Sequence, residues 1–172
     1  SGDSWTINLH VMGNQTPPDR TWLGGFGDPQ ASNNGLRYFL VRNGNLAFTL
    51  GDQELLSSEM WDSSTWQILT ATFNKGRLKL WKNGTQIAQG NFNLDTAASD
   101  VRLSPVATRN GASRFVGQMD EFTLWNWGMT KAEVGLLASG GRSTVPSPAD
   151  GTRSVDQTAT LAWIPGLSTQ AH

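Results

Sequence analysis

The chain has 172 residues, 37% hydrophobic and only 16% charged, with 19 glycines and a formal net charge of −1. That length suits one ordinary domain with a remainder, and the near-zero charge excludes the broad basic footprint of a nucleic-acid or anionic-membrane binder. The sequence has no cysteine, which removes disulfide and thiolate chemistry, and no apolar run nears the ~20 residues of a membrane span.

The elements are mostly strands. Trp5, Ile7, Leu9 and Val11 alternate with Thr6, Asn8 and His10, the period of a half-buried strand. Residues 36–42 and 45–50 are apolar-rich runs joined by Asn43-Gly44, a pair that accepts positive φ at both central positions of a tight turn. Leu46, Phe48 and Leu50 share one face, Leu69, Ala71 and Phe73 another, and Leu78 and Leu80 a third. Asn83-Gly84 turns the chain into Gln86-Ile87-Ala88, and another Asn-Gly at 110–111 precedes Phe115. One helix is expected late: Thr130 and Glu133 have capping-box spacing, Val134, Leu137 and Ala138 form an apolar stripe, and Gly140-Gly141 ends it. Many short alternating strands with turns between them predict an all-β antiparallel sandwich with one short helix.

The run Trp66 to Gly76, the hairpin Leu78 to Gly84 and the strand Val116-Gly117-Gln118-Met119-Asp120-Glu121-Phe122 follow one another in order. Together they resemble the laminin-G-like branch of the concanavalin A-like lectin/glucanase superfamily, over roughly residues 4–138. The resemblance implies a jelly-roll β-sandwich over residues 1–141. Residues 142–151, polar with Pro146, Pro148 and Gly151, read as a linker. Residues 152–172 resemble the start of an immunoglobulin-like or fibronectin-III-like module, too short to fold alone. These residues are expected to dock on the sandwich, with Leu161 and Trp163 buried together, or to stay poorly packed. The first residues, Ser-Gly-Asp, show neither a methionine nor a signal-like segment, so the chain reads as a piece of a larger protein.

Catalysis is not expected. Retaining glycoside hydrolases of this superfold hold two carboxylates about 5–5.5 Å apart, which on a strand calls for same-face spacing. Asp120 and Glu121 are adjacent, and Asp52 and Glu54 read as a turn. His10 and His172 are too few and too distant for a zinc site or a triad. Gly24-Gly25-Phe26-Gly27 lacks the Lys-Ser/Thr of a phosphate loop.

What remains is binding. Eight tryptophans stand against one tyrosine, and an exposed indole stacks on the C–H face of a sugar ring. Trp61, in a polar loop with Asp62 beside it, is the first candidate for a glycan contact. Trp127 and Trp81 follow, with Arg37 as a polar neighbour on the strand that carries Tyr38. Trp5 and Trp66 are expected in the core, and Trp22 to face outward. The glycan surface is expected to rest on tryptophans rather than on charge. In the resembling family the aspartate of the last long strand, here Asp120, often holds calcium with backbone carbonyls; the alternative is a carboxylate that only accepts loop N–H groups. Asn14 and Asn83 begin Asn-x-Thr sequons, relevant in a eukaryotic host. The resemblance implies a non-catalytic carbohydrate-binding module of a secreted or cell-surface protein, set among neighbouring domains of a polysaccharide-degrading parent. The alternative is a structural or adhesive domain with a protein partner.

Overall fold

The computed structural model describes residues 4–28, 35–50, 52–94, 100–105, 113–140, 144–147 and 162–164. The Asn110-Gly111 turn, Gly141, His172, Leu161 and most of 142–172 lie outside the described residues. Ten strands form two five-stranded antiparallel sheets. The first contains β1 (Trp5–Gly13), β6 (Gln67–Asn74), β7 (Arg77–Lys82), β8 (Thr85–Asn91) and β10 (Gly117–Trp125), in the order β10-β1-β6-β7-β8. The second contains β2 (Thr21–Gly27), β3 (Leu36–Arg42), β4 (Asn45–Thr49), β5 (Glu54–Met60) and β9 (Val101–Leu103), in the order β5-β4-β3-β2-β9. This is the jelly-roll β-sandwich. Within the segment expected as a linker, β11 (Thr144–Ser147) pairs antiparallel with β12 (Ala162–Ile164) in a separate two-stranded sheet.

The alternation sets are the inner faces. Ile7, Leu9 and Val11 meet Leu69, Ala71, Phe73, Leu78 and Leu80 from the first sheet, and Phe39, Val41, Leu46 and Phe48 from the second. Trp5 joins the layers: it stacks on Phe73 at 5.5 Å and Phe48 at 5.9 Å, and meets the edge of Phe26 at 5.6 Å. Two of the Asn-Gly turns are seen, with φ of 50° and 80° at Asn43-Gly44 and 50° and 78° at Asn83-Gly84. The helix α1 (Lys131–Ala138) starts with the expected capping box, Thr130 accepting from the Glu133 N–H while the Glu133 carboxylate accepts from Thr130.

Two tryptophans exchange the roles the sequence suggests. Trp61 is only 5% exposed and lies in the core, edge-on to Phe115 at 5.8 Å. Its indole occupies the space that a side chain at Gly13 would need, 2.9 Å from an added Cβ. Trp66, expected inside, is 46% exposed. Trp61 is therefore a core residue and not a surface platform for a sugar. The polar loop around it misleads because its neighbours in space come from residues 13 and 115, far away in sequence.

The face of the second sheet turned away from the core is also closed. Trp22, Leu36, Tyr38, Leu40 and Ala47 form a second buried cluster, with the Trp22 and Tyr38 rings 5.1 Å apart. Trp22 thus does not face solvent. The Tyr38 hydroxyl donates to the Gly27 carbonyl at 2.7 Å, and burial pushes its pKa up to about 12. Arg37 points to the other face of β3, is fully buried, and donates to the Leu36 carbonyl at 2.7 Å. Neither residue is available at the surface, so the expected Arg37/Tyr38 contact with a glycan is corrected as well.

Two outcomes follow from this packing. Truncation of a large core aromatic costs about 3–5 kcal/mol, so Trp61→Ala is expected to lower stability by about that much in chemical denaturation, whereas Trp66→Ala should change it by less than about 1 kcal/mol. Equal effects would contradict the exchange of roles. Tyr38 is the single tyrosine, so its ionisation can be followed by ultraviolet absorbance alone. The folded phenol should ionise near pH 12, against about 10 in denaturant. Because the folded pKa is the higher, this stabilisation is complete below pH ~10 and is lost as pH rises towards 12. Phenolate forming near pH 10 with the fold intact would contradict the burial.

Candidate functional site

The outward face of the first sheet carries the site. In β1 the residues between the core positions, Thr6 and Asn8, are not solvated but buried. Asn8 accepts from Thr70 at 3.1 Å and donates to the Glu121 carbonyl at 3.3 Å. Thr6 donates to the Trp127 carbonyl at 2.8 Å and accepts from the Met129 N–H at 2.9 Å. One hydroxyl therefore fixes both strands of the bend that follows β10. Gly128, between them, lies so near β6 that an added Cβ would sit 2.6 Å from the Phe73 carbonyl oxygen. Any side chain there would lift the segment off the sheet.

Beyond the bend, α1 packs over β7. Trp81, Met129 and Val134 form a third buried cluster, with Trp125 and Leu137 partly buried against it. The Trp81 indole N–H donates to Thr72 Oγ1 at 3.1 Å. Trp81 points out of the sheet, as its strand position implies, but the bend and α1 cover it. It is corrected from a glycan contact to the seat of the helix.

The same arrangement leaves a groove of about 550 Å³ beside the covered region. Its floor consists of outward residues of β6, β7 and β8: Thr72, Asn74, Arg77, Lys79 and Asn91. The cross-strand register explains their meeting, since Thr72 lies opposite Lys79, and Asn74 opposite Arg77, which lies opposite Asn91. Its wall is Gly128, Met129, Thr130 and Lys131, and Lys75 enters from the β6–β7 turn. Four cations thus converge on a space lined by no carboxylate. Sequence reasoning missed them because residues 75–79 and 131 come together only through the fold. A net charge of −1 conceals the cluster.

Of the residues expected to bind glycan, Trp127 stays accessible. It is 44% exposed, meets Trp125 edge-on at 6.2 Å, and directly precedes the groove residue Gly128. Asp62 is at the surface but is engaged elsewhere. Its carboxylate lies 2.6 Å from Lys82 Nζ, which also meets Glu59 at 2.9 Å and donates to the Met60 carbonyl at 3.0 Å. Lys82 is only 6% exposed. Burial works against its charge, but hydrogen bonds to Asp62 and Glu59 outweigh this and raise its pKa above the ordinary lysine value. Asp62 therefore clasps β5 and the following loop to β7, a structural role distant in kind from sugar recognition.

Asp120 lies on β10 where a bulge interrupts pairing with β1, Glu121 having φ 49°. Both acids are exposed, so the alternation expected of neighbours on a regular strand does not apply here. One Asp120 oxygen accepts from the Glu121 N–H at 2.8 Å. Calcium takes six to eight oxygens. Among the described residues no group of three acidic, histidine or cysteine side chains could hold a metal, so most oxygens of a calcium shell at Asp120 would have to come from backbone carbonyls and water.

Comparison of sequences with curated proteins finds no match. Solved structures are similar in fold. Domain 4 of AbnA, an extracellular GH43 arabinanase from Geobacillus stearothermophilus solved with arabinotriose, aligns at TM-score 0.63 and 20% identity, over 80% of this chain and 68% of that one. The CBM40 of a Ruminococcus gnavus IT-sialidase, bound to α2,3-sialyllactose, aligns at TM-score 0.60 and 14% identity, over 79% and 83%. A heptameric SAP-like pentraxin from Limulus polyphemus aligns at TM-score 0.62 and 12% identity, over 96% and 82%. At such identities the likeness concerns the fold. The family model Laminin_G_3 matches residues 1–135, and with it this chain belongs to the concanavalin A-like lectin/glucanases superfamily.

Proposed function

We propose that the chain is a non-catalytic carbohydrate-binding module of a secreted protein, joined to other domains that act on polysaccharide. The observation that carries this reading is the groove on the outer face of the first sheet, with amide and hydroxyl groups on its floor, and the exposed Trp127 directly before the first residue of its wall in sequence. Amides and hydroxyls hydrogen-bond sugar hydroxyls, and an indole stacks on the apolar ring face. Superfamily membership and the arabinanase and sialidase domains of like fold support the same class of ligand. The extracellular setting rests on the extracellular arabinanase, and the division of the chain at 141 and 151 on the composition of the sequence. A glycan array decides between this and an adhesive role, a blank array favouring a protein partner. Binding to a defined polysaccharide is expected, without release of reducing sugar. Trp127→Ala should weaken it about two- to tenfold, the worth of one aromatic contact, while the melting temperature stays nearly constant.

Calcium at Asp120 is a proposal of the family resemblance and not of the geometry. Were the ion held, calcium would raise the melting temperature by binding only the folded chain, and EDTA would reverse it. Asp120→Asn should then remove the shift. A melting curve indifferent to both reagents sets the metal aside.

A further inference from the structure

The groove has a charge character that a neutral sugar does not call for. Lys75, Arg77, Lys79 and Lys131 line it with no acidic side chain among them. Elsewhere three of the six described cations meet carboxylates: Arg42 meets Asp19 and Glu54, Lys82 meets Glu59 and Asp62, and Arg102 meets Asp100. No such ion pair is seen for the four groove cations among the described residues. Like charges gathered without a counter-charge repel one another, and an anion in the groove would relieve that repulsion.

Two of the four sit where local preference argues against them. The β6–β7 turn, Lys75-Gly76, has φ of 48° and 82°, matching the Asn43-Gly44 and Asn83-Gly84 turns in backbone but not in its first residue. Asparagine tolerates the left-handed region far better than lysine does. Lys131 opens α1, where the helix dipole favours acids and opposes a cation. Local rules broken in this way tend to mark functional positions. Here both exceptions put positive charge into the same groove.

We propose that the groove binds an acidic polysaccharide, seating a carboxylate or sulfate of the sugar chain against these four cations. This deepens the carbohydrate-binding reading and rests on it. A volume of about 550 Å³ is in the range of sites for small-molecule-sized ligands, and so takes a short stretch of glycan. Asn74, Asn91, Thr72 and Thr130 supply neutral partners for its hydroxyls. Nucleic acid fits less well. With the four groove cations set aside, nine basic side chains remain against fourteen acidic ones, a net −5 over the rest of the chain. A densely charged polyanion extending past the groove would meet repulsion, whereas a glycan with one charge per sugar can place it locally.

The test is titration calorimetry of the full chain with two matched pairs: polygalacturonate against its methyl ester, and dextran sulfate against dextran. The acidic member of at least one pair should bind well above its neutral partner, and the pair that responds separates carboxylate from sulfate. Raising salt from about 50 to 500 mM should weaken that binding severalfold. Arg77→Gln and Lys79→Gln should each weaken it about tenfold, as loss of a charge-assisted hydrogen bond does. Lys75→Asn is the more diagnostic variant: it should weaken acidic-glycan binding while raising the melting temperature by about 2 °C, since the turn then carries its favoured residue. A purely structural lysine would show no binding loss. Equal binding to both members of each pair, or unchanged affinity in the three variants, would overturn the proposal and leave the carbohydrate module standing. Binding of double-stranded DNA as tight as that of the acidic glycan would also overturn it. Failure to bind any glycan, acidic or neutral, would overturn both.

Discussion

The groove depends on how a single hydroxyl is used. Thr6 Oγ1 both donates to Trp127 and accepts from Met129, so the bend after β10 is held to the middle of the first sheet rather than to its edge. The buried Met129 N–H has its partner there, and leaving such a donor unpaired would cost about 1–3 kcal/mol. From this point the chain has only the span of Gly128 to Thr130 before α1 begins, and the capping box fixes the direction in which it leaves. The wall of the groove follows from these constraints. Trp81 then fills the space beneath α1, and Lys79, one position earlier on β7 in the outward series, is left open beside it, its Nζ 5.8 Å from the Trp81 ring.

Alternation along the strands made the inner faces legible. It told which residues share a face, as with Ile7, Leu9 and Val11, and the Asn-Gly pairs located two hairpins whose backbones have the expected positive φ. The helix was legible to its first residue because capping is a local hydrogen-bond pattern. Alternation does not tell which faces are covered a second time. Thr6 and Asn8 look like the wet side of a strand, yet Thr6 lies under the bend and Asn8 is buried between Thr70 and the Glu121 carbonyl; Tyr38 and Trp22 look like surface, yet they form a cluster of their own. The strand β2 was hidden for another reason. Its Gly24 and Gly25 lack β propensity, and they are tolerated because Leu9, Leu103 and the β3 backbone press against those positions.

The tryptophans show the limit of reading a site from residue type. An indole in a polar loop suggested a platform at Trp61, but packing against Phe115 over Gly13 is a tertiary fact with no local trace. Trp127, which follows β10 and precedes a glycine that must hug the sheet, stays exposed. Asp62 illustrates the converse. A surface acid beside an aromatic suggests a hydroxyl partner, whereas here its charge serves Lys82, a buried cation that needs it. Removing that carboxylate would leave a buried ammonium short of a charged partner, a more costly change than the exposure of Asp62 suggests.

The two sheets have thus been put to different uses. The outer face of the second is closed by an apolar and aromatic cluster, in which even the tyrosine hydroxyl is satisfied internally. The outer face of the first is closed over β1 and the end of β7 but open over the end of β6, the start of β7 and the end of β8. Strand ends joined by a tight turn can carry charge at modest cost, because long basic side chains there rest their stems on the sheet and keep their heads in water. The floor of the groove is a strand surface set by ladder hydrogen bonds, and its wall is pinned by Thr6, so its cations gather on a rigid frame. A site of this kind loses little ordering entropy when a ligand arrives, which matters for a short glycan that offers few contacts. Rigidity in β6 and β7, supplied by the same Leu69, Ala71, Phe73, Leu78 and Leu80 that build the core, is what would let a few charges in the proposed groove select one kind of sugar.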